Sequence, residues 1–253
     1  MKRTIRLHEK PARIISLVPS QTELLFELGL DKEVVGITKF CIHPDSWFRT
    51  KTKIGGTKKL DANKIRALKP DLLIGNKEEN EEGQILLLEK EFPVWMSDIH
   101  NLEQALEMVQ SLGQLCERET QASEIIQKIK NQFRKFKPLS TGVRVLYLIW
   151  KNPYMAAGRN TFIDSMLNKC GFINCMDKDR YPELTEAEIQ ELNPDLILLS
   201  SEPFPFKEKH LKELQVFCPA SEIKLADGEF FSWYGSRLLK APAYFKELLS
   251  TLA

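Results

Sequence analysis

"LKPDLLIGN" occupies residues 68–76, and "LNPDLILLS" occupies residues 192–200. Extended backwards without a gap, "LDANKIRALKPDLLIGN" (60–76) lies over "LTEAEIQELNPDLILLS" (184–200). Leu60, Ile65, Leu68, Pro70, Asp71 and Leu72 then meet Leu184, Ile189, Leu192, Pro194, Asp195 and Leu196. Each copy reads as a helix with one apolar face, a proline that stops it, and a short buried strand. That idiom is common in α/β proteins, so one such match can arise by chance. Its recurrence at equivalent steps of two strand–helix series favours duplication of a larger unit. Asp71 and Asp195 are then turn residues, structural rather than catalytic.

The surroundings of both copies alternate in the same way. "RIISLV" (13–18) reads as a strand and "SQTELLFELGL" (20–30) as a helix, with Ser20 and Glu23 as a capping box and Gly29 as its stop. "EVVGIT" and "PVWMSD" read as further strands, and "DANKIRAL", "EGQILLLEKEF" and "NLEQALEMVQSLGQLC" as helices. "ERETQASEIIQKIKNQFRKFK" (117–137) has no Gly or Pro and sets Ile125, Ile126, Ile129 and Phe133 on one face. About 20 residues of helix span about 30 Å. "PLSTG" (138–142) stops it, and the alternation restarts with strand "VRVLYLI", loop "WKNPYMAAGRN" and helix "TFIDSMLNKCG". The second copy, "SEIKLAD" and a closing helix from about Ser236 complete the chain. The alternation predicts an α/β fold of parallel sheets covered by helices. The expected organisation is an N-terminal α/β lobe (1–116), a linking backbone helix (117–137) and a C-terminal α/β lobe (138–253).

Composition narrows the function classes. Of 253 residues, 43% are hydrophobic and 28% charged, as in a soluble globular protein. A net charge of +1 gives no footing for nucleic-acid or membrane-surface binding. Cys41, Cys116, Cys170, Cys175 and Cys218 form no CxxC and no metal-finger spacing, and read as free thiols. The basic start "MKRTIRLHEKPARIISLVP" has no apolar run of signal-peptide length, no cleavage site and no lipobox cysteine. The chain therefore either stays in the cytoplasm or has lost a leader. Dinucleotide, phosphate-loop and nucleophile-elbow fingerprints are absent.

"RIISLVPSQTELLFELGL", "ALKPDLLIG", the long central helix, "NPYMAAGRNTFIDSMLNKCGF" and "DGEFFSWYGSR" resemble the helical-backbone, TroA-like class III substrate-binding proteins of ABC importers. The resemblance runs over residues 13–250, and is nearest to the cobalamin, ferric-siderophore and haem branch. It implies two Rossmann-like lobes with parallel central sheets joined by one long α-helix, with a ligand cleft between the lobes. It implies no catalytic residue and no cofactor; His8, His43, His100 and His210 form no evident converging ligand set, so a chelated ligand is expected rather than a bare metal ion. The expected partners are a metal chelate or tetrapyrrole and the transmembrane subunits of an ABC permease. A monomer in the periplasm or another extracytoplasmic space is expected. A cytosolic α/β enzyme and an intracellular chelate carrier on the same scaffold are the alternatives.

Ligands of open α/β sheets bind beyond the carboxyl ends of the strands. Pro19, Ser20 and Gln21 sit at a helix N-terminus after the first strand; Ser20 can cap that helix and touch ligand as well. After the second strand come Phe40 and His43, the latter a candidate metal ligand though a lone loop histidine is more often solvated. Thr57 follows Gly55 and Gly56, with Lys58 and Lys59 beside it; the cobalamin-binding relative has a tryptophan where this chain has Thr57. The second half offers Trp150, Tyr154, Tyr181, Trp233, Tyr234 and Arg237. Flat rings with polar tips suit a corrin, porphyrin or catecholate, and Arg237 can fork onto carboxylate oxygens. Packing beneath the last helix is the competing role for "FFSW". The resemblance assigns Glu82 and Glu202 to permease docking; a solvated helix start is the plainer account of Glu82.

Overall fold

The computed structural model describes residues 5, 7, 9–138 and 142–252; of the stop read in "PLSTG" (138–142), residues 139–141 lie outside them. Two compact units emerge. The first takes residues through Ile99, Glu103–Asn131 and Trp233–Leu239; the second takes His100–Leu102, Gln132–Ser232 and the chain from Lys240.

In the first unit the order is β1 (Ile14–Ser16), α1 (Pro19–Glu27), β2 (Val34–Ile37), α2 (Asp45–Thr50), β3 (Thr52–Lys53), β4 (Gly55–Gly56), β5 (Lys59–Leu60), α3 (Ala62–Leu68), β6 (Leu72–Asn76), α4 (Glu82–Leu88), β7 (Val94–Ser97), α5 (Leu102–Leu115) and α6 (Glu119–Lys135). Strands β3-β2-β1-β6-β7 form a parallel sheet, and β4 and β5 a small antiparallel pair. The five residues of β6 are all buried, as a strand covered on both faces requires. Ile15, Leu73, Ile65, Ile85 and Leu88 pack together as the core. On α6, Ala122, Ile125, Ile126 and Ile129 are the buried stripe, and the chain passes into the second unit after Asn131.

The second unit contains β8 (Arg144–Trp150), β9 (Tyr154–Ala156), α7 (Phe162–Lys169), β10 (Ile173–Asn174), β11 (Glu183–Leu184), α8 (Glu186–Leu192), β12 (Leu196–Ser200), α9 (Glu208–Phe217), β13 (Glu222–Ala226), α10 (Glu229–Ser232) and α11 (Ala241–Ser250). Its sheet runs β11-β9-β8-β12-β13, parallel except that β9 is antiparallel to β8 and to β11. The segment read as the loop "WKNPYMAAGRN" is thus partly a hairpin, turned by Asn152 at φ 66°. The closing helix also differs: Ser236–Leu239 is a 3-10 turn, and α11 starts only at Ala241.

The repeated nonapeptide has the same job twice. Asp71 accepts from the backbone N–H of Ala12 (2.7 Å) and Arg13 (2.9 Å), while the Arg13 guanidinium donates to the Leu68 carbonyl at the end of α3 (2.6 Å). Asp195 accepts from the Arg144 N–H (2.9 Å), and Arg144 donates to the Leu192 carbonyl at the end of α8 (2.8 Å). Each aspartate therefore registers the first strand of its unit against the duplicated strand, and each arginine caps the duplicated helix. Both are structural, as the sequence suggested. Asp71→Ala is expected to cost about 2 kcal/mol in chemical denaturation, and Asp195→Ala, which loses fewer bonds, about 1 kcal/mol.

Candidate functional site

The carboxyl ends of β1, β2 and β6 in the first unit deliver Val18–Gln21, Lys39–His43 and Asn76–Glu81. Neighbouring β2 and β6 flank β1 on opposite sides, so the chain reverses direction of travel across the sheet at this point. Helix α1 starts at Pro19 with Val18 as N-cap, and no side chain caps it. Proline is pre-organised for the first helical position, which moves the start ahead of Ser20 and abolishes the expected capping box. Ser20 is buried, and its hydroxyl lies against the Tyr234 phenol. Gln21, expected at the helix N-terminus among the ligand contacts, is fully buried; its amide donates to the Gly75 carbonyl (3.1 Å) and Ser97 Oγ (2.7 Å). It holds α1 onto the sheet.

Asn76 and Asn80 shape the next loop. Asn80 Oδ1 accepts from Asn76 N (2.9 Å), and its amide donates to the carbonyls of Leu17 (3.3 Å) and Thr57 (3.1 Å). One buried side chain thus joins three loops. Asn76 Oδ1 accepts from the N–H of Glu78 (2.8 Å), an Asx turn. Lys58 donates to the Glu78 carbonyl, so this lysine contributes to loop structure. Half-buried Thr57 takes part through its carbonyl.

Trp233, Tyr234 and Arg237 are 4%, 4% and 8% exposed and belong to the first unit, a correction to their expected place on the second. Arg237 spends its fork on Glu23, with Nη2–Oε1 at 2.8 Å and Nε–Oε2 at 3.2 Å. Its guanidinium stacks 4.9 Å from the Trp233 ring, and that ring meets His43 edge-on at 5.7 Å. Tyr234 donates to Glu79 Oε1 (3.0 Å). Burial, reinforced by the Glu79 charge, raises the Tyr234 pKa well above the usual 10, so the phenol stays a donor. These residues form a packed strap, not a loose loop. Phe40, by contrast, is 51% exposed. Its ring lies on Gly56, where an added Cβ would come within 3.0 Å of it, and Lys39 Nζ stands 5.0 Å from the ring centroid. Cys41 beneath it accepts from Thr22 Oγ1 at 3.0 Å, and burial pushes its pKa up to about 11, so it remains a thiol.

In the second unit Trp150, 39% exposed, ends β8 and meets Phe204 edge-on at 5.7 Å. Tyr154 is 7% exposed and packs on Phe217 within the apolar core, its pKa pushed up to about 12 by burial. It is a core residue, which corrects its expected place at the rim. Tyr181 is half-buried. Phe231 is fully buried between Tyr147 (5.1 Å) and Phe245 (4.9 Å), so the packing role of "FFSW" holds for it. Glu82 is the exposed first residue of α4. Glu202 is half-buried, and its Oε1 accepts from Ser232 Oγ at 2.6 Å.

The loop after Glu202 rests on His210. Phe204 and Phe206 each lie 5.4 Å from the imidazole, and Nδ1 accepts from Lys207 N at 2.9 Å. Burial lowers the His210 pKa from 6.5; Lys151 and Lys209 act in the same direction and Glu213 against it. A histidine with a depressed folded pKa adds stability above its unfolded value that is lost as pH falls through the folded value. Thermal melts are therefore expected to drop more steeply below pH 6.5 for the native protein than for His210→Gln. Parallel curves would contradict this assignment.

A family model described as periplasmic binding protein matches residues 14–217. The chain belongs to the periplasmic binding protein family. An uncharacterised ABC transporter substrate-binding lipoprotein of Bacillus subtilis (strain 168) is 24% identical over 206 residues, 77% of this chain and 65% of that one. The chain thus spans just under two thirds of that relative. A vitamin B12-binding protein of Yersinia pestis (strain Pestoides F) is 24% identical over 194 residues, 74% of this chain and 69% of its own. A solved periplasmic haem-binding protein in complex with two haems has a TM-score of 0.82 at 21% identity, covering 97% of this chain and 100% of that one. That likeness establishes the shared fold.

As a periplasmic binding protein, the chain brings Pro19, Ser20, His43, Trp233, Tyr234 and Arg237 together on the first unit. The pairing of Glu23 with Arg237 is not marked in the sequence, and neither are the roles of Glu79, Asn80 and Ser232. Asn76 at the strand end is a readable signal for an Asx turn; the others are recognisable only through partners remote in sequence. Among the described residues, no group of three or more His, Cys, Asp or Glu is arranged to hold a metal ion. No helix among them is long and apolar enough to cross a membrane.

Proposed function

We propose that this chain is the substrate-binding component of an ABC importer and captures a metal chelate of the corrinoid, ferric-siderophore or haem class, which it hands to a permease unchanged. The observation that carries this reading is the exposed Phe40 ring, seated on Gly56, on the same strand-end face as the His43–Trp233 pair. A flat apolar ring beside an imidazole edge suits a large planar or ring-rich guest. The names of the relatives, vitamin B12-binding and haem-binding, support that class. The protein works as a monomer in the periplasm or another extracytoplasmic space.

A thermal-shift screen with hydroxocobalamin, ferric haem and a ferric catecholate tests the reading. At a hundredfold excess over Kd, a ligand of the native state stabilises by about 2.7 kcal/mol, which raises Tm by about 5–10 °C in a chain of this size. No shift with any of the three overturns the proposal. Glu82 and Glu202 are the proposed docking residues for basic groups of the permease. Replacing Glu82 by Ala and Glu202 by Gln, which keeps an oxygen acceptor for Ser232, is expected to leave chelate affinity unchanged and to weaken association with the permease, mainly through a slower on-rate. Lost chelate affinity would overturn this division of roles.

A further inference from the structure

We infer that Ser232 is a positioning residue that couples Glu202 to the strap of residues 233–239, so that drawing the Glu202 carboxylate onto a cation of a docking partner loosens the segment bearing Trp233; this rests on the docking role proposed for Glu202. Ser232 Oγ lies 2.6 Å from Glu202 Oε1 and 2.9 Å from the Gly228 carbonyl. One hydroxyl carries one proton, so the two acceptors compete, and the shorter, charge-assisted bond to Glu202 prevails while the carboxylate is in place.

The rest of α10 has little freedom against the Glu202 loop. Gly228 N donates to Ser201 Oγ at 2.9 Å. A Cβ on Gly228 would stand 2.4 Å from Ser200 Oγ and 2.7 Å from Glu202 Cγ, so only glycine permits this approach. Ser200 is in turn bonded by the buried Tyr147 hydroxyl at 3.2 Å, and Phe231 is anchored in the core. The helix is therefore pivoted at Phe231 and held at its last residue by Glu202. The next residue, Trp233, is where the chain passes from the second unit to the first. When the carboxylate leaves, the Ser232 proton falls back onto the Gly228 carbonyl, and the last residue of α10, next in the chain to the strap, loses its side-chain bond to the loop. Glu202 on this account has two jobs, a charge for the partner and an anchor for the strap.

Hydrogen exchange on the ligand-free protein separates these jobs. In Ser232→Ala and in Glu202→Ala the amides of 233–239 are expected to exchange about tenfold faster, the scale of one lost charge-assisted bond. In Glu202→Gln, which keeps an oxygen acceptor for Ser232, they are expected to match the native protein. Amides of β1 and β6 stay unchanged in all three. Native exchange in Ser232→Ala, or Glu202→Gln behaving as Glu202→Ala, overturns the inference. Permease association measured on Glu202→Gln tests the docking role by itself: retained association there removes docking from Glu202 whatever the exchange shows.

Discussion

Replacing Arg237 by Ala is expected to lower the stability of the protein by about 3 kcal/mol, since removing one partner of a buried ion pair leaves the other's desolvation uncompensated. The Arg237 and Glu23 side chains are only 9% and 14% exposed, and the fork makes two bonds. The same guanidinium covers the Trp233 ring, so the substitution also opens packing under the strap. In a chain of this length the loss corresponds to a fall in Tm of about 6–12 °C. Replacing Arg237 and Glu23 together by leucine is expected to recover most of it, because paired buried charges exchange for apolar side chains at little net cost. A fall in Tm no larger than that of an exposed arginine would show that the strap is not held in this way.

Phe40→Ala is expected to do the reverse: leave stability within about 0.5 kcal/mol, as for an exposed position, and weaken chelate binding by at least about tenfold. The contrast follows from burial. Trp233 is 4% exposed and structural, so its truncation costs about 3–5 kcal/mol and confuses any affinity measurement. Phe40, half out in solvent over a bare glycine, is held only at its edge by Gly56 and Lys39 among the contacts of the described residues. Unchanged affinity in Phe40→Ala would place the guest elsewhere.

The layered architecture was legible because its signals are local. A buried strand such as Leu72–Asn76 is one unbroken apolar run, and a helix stopped ahead of Pro70 or Pro194 announces its own end. The repeated Pro–Asp step marks its aspartates as structural, whereas nothing local marks Arg13 and Arg144 as their partners at the first strands. The placement of the candidate residues was not legible. Glu79 and Tyr234 are 155 positions apart, and Glu23 and Arg237 are 214 apart. No periodicity records such pairings, so a strap that returns to the first unit reads as part of the second. Gln21 and Tyr154 misled for a related reason: a polar side chain suggests a surface until its buried partners are known. Pro19 shifted the start of α1 by a rule that was available, and Ser20 lost its capping role through it.

The most direct test of the binding claim is a titration of the purified protein with hydroxocobalamin, ferric haem and a ferric catecholate, followed by tryptophan fluorescence. Saturable one-to-one quenching by one of them, with a Kd well below about 100 µM and a weaker Kd in Phe40→Ala, is the expected result. No saturable quenching by any of the three up to that concentration would contradict the account.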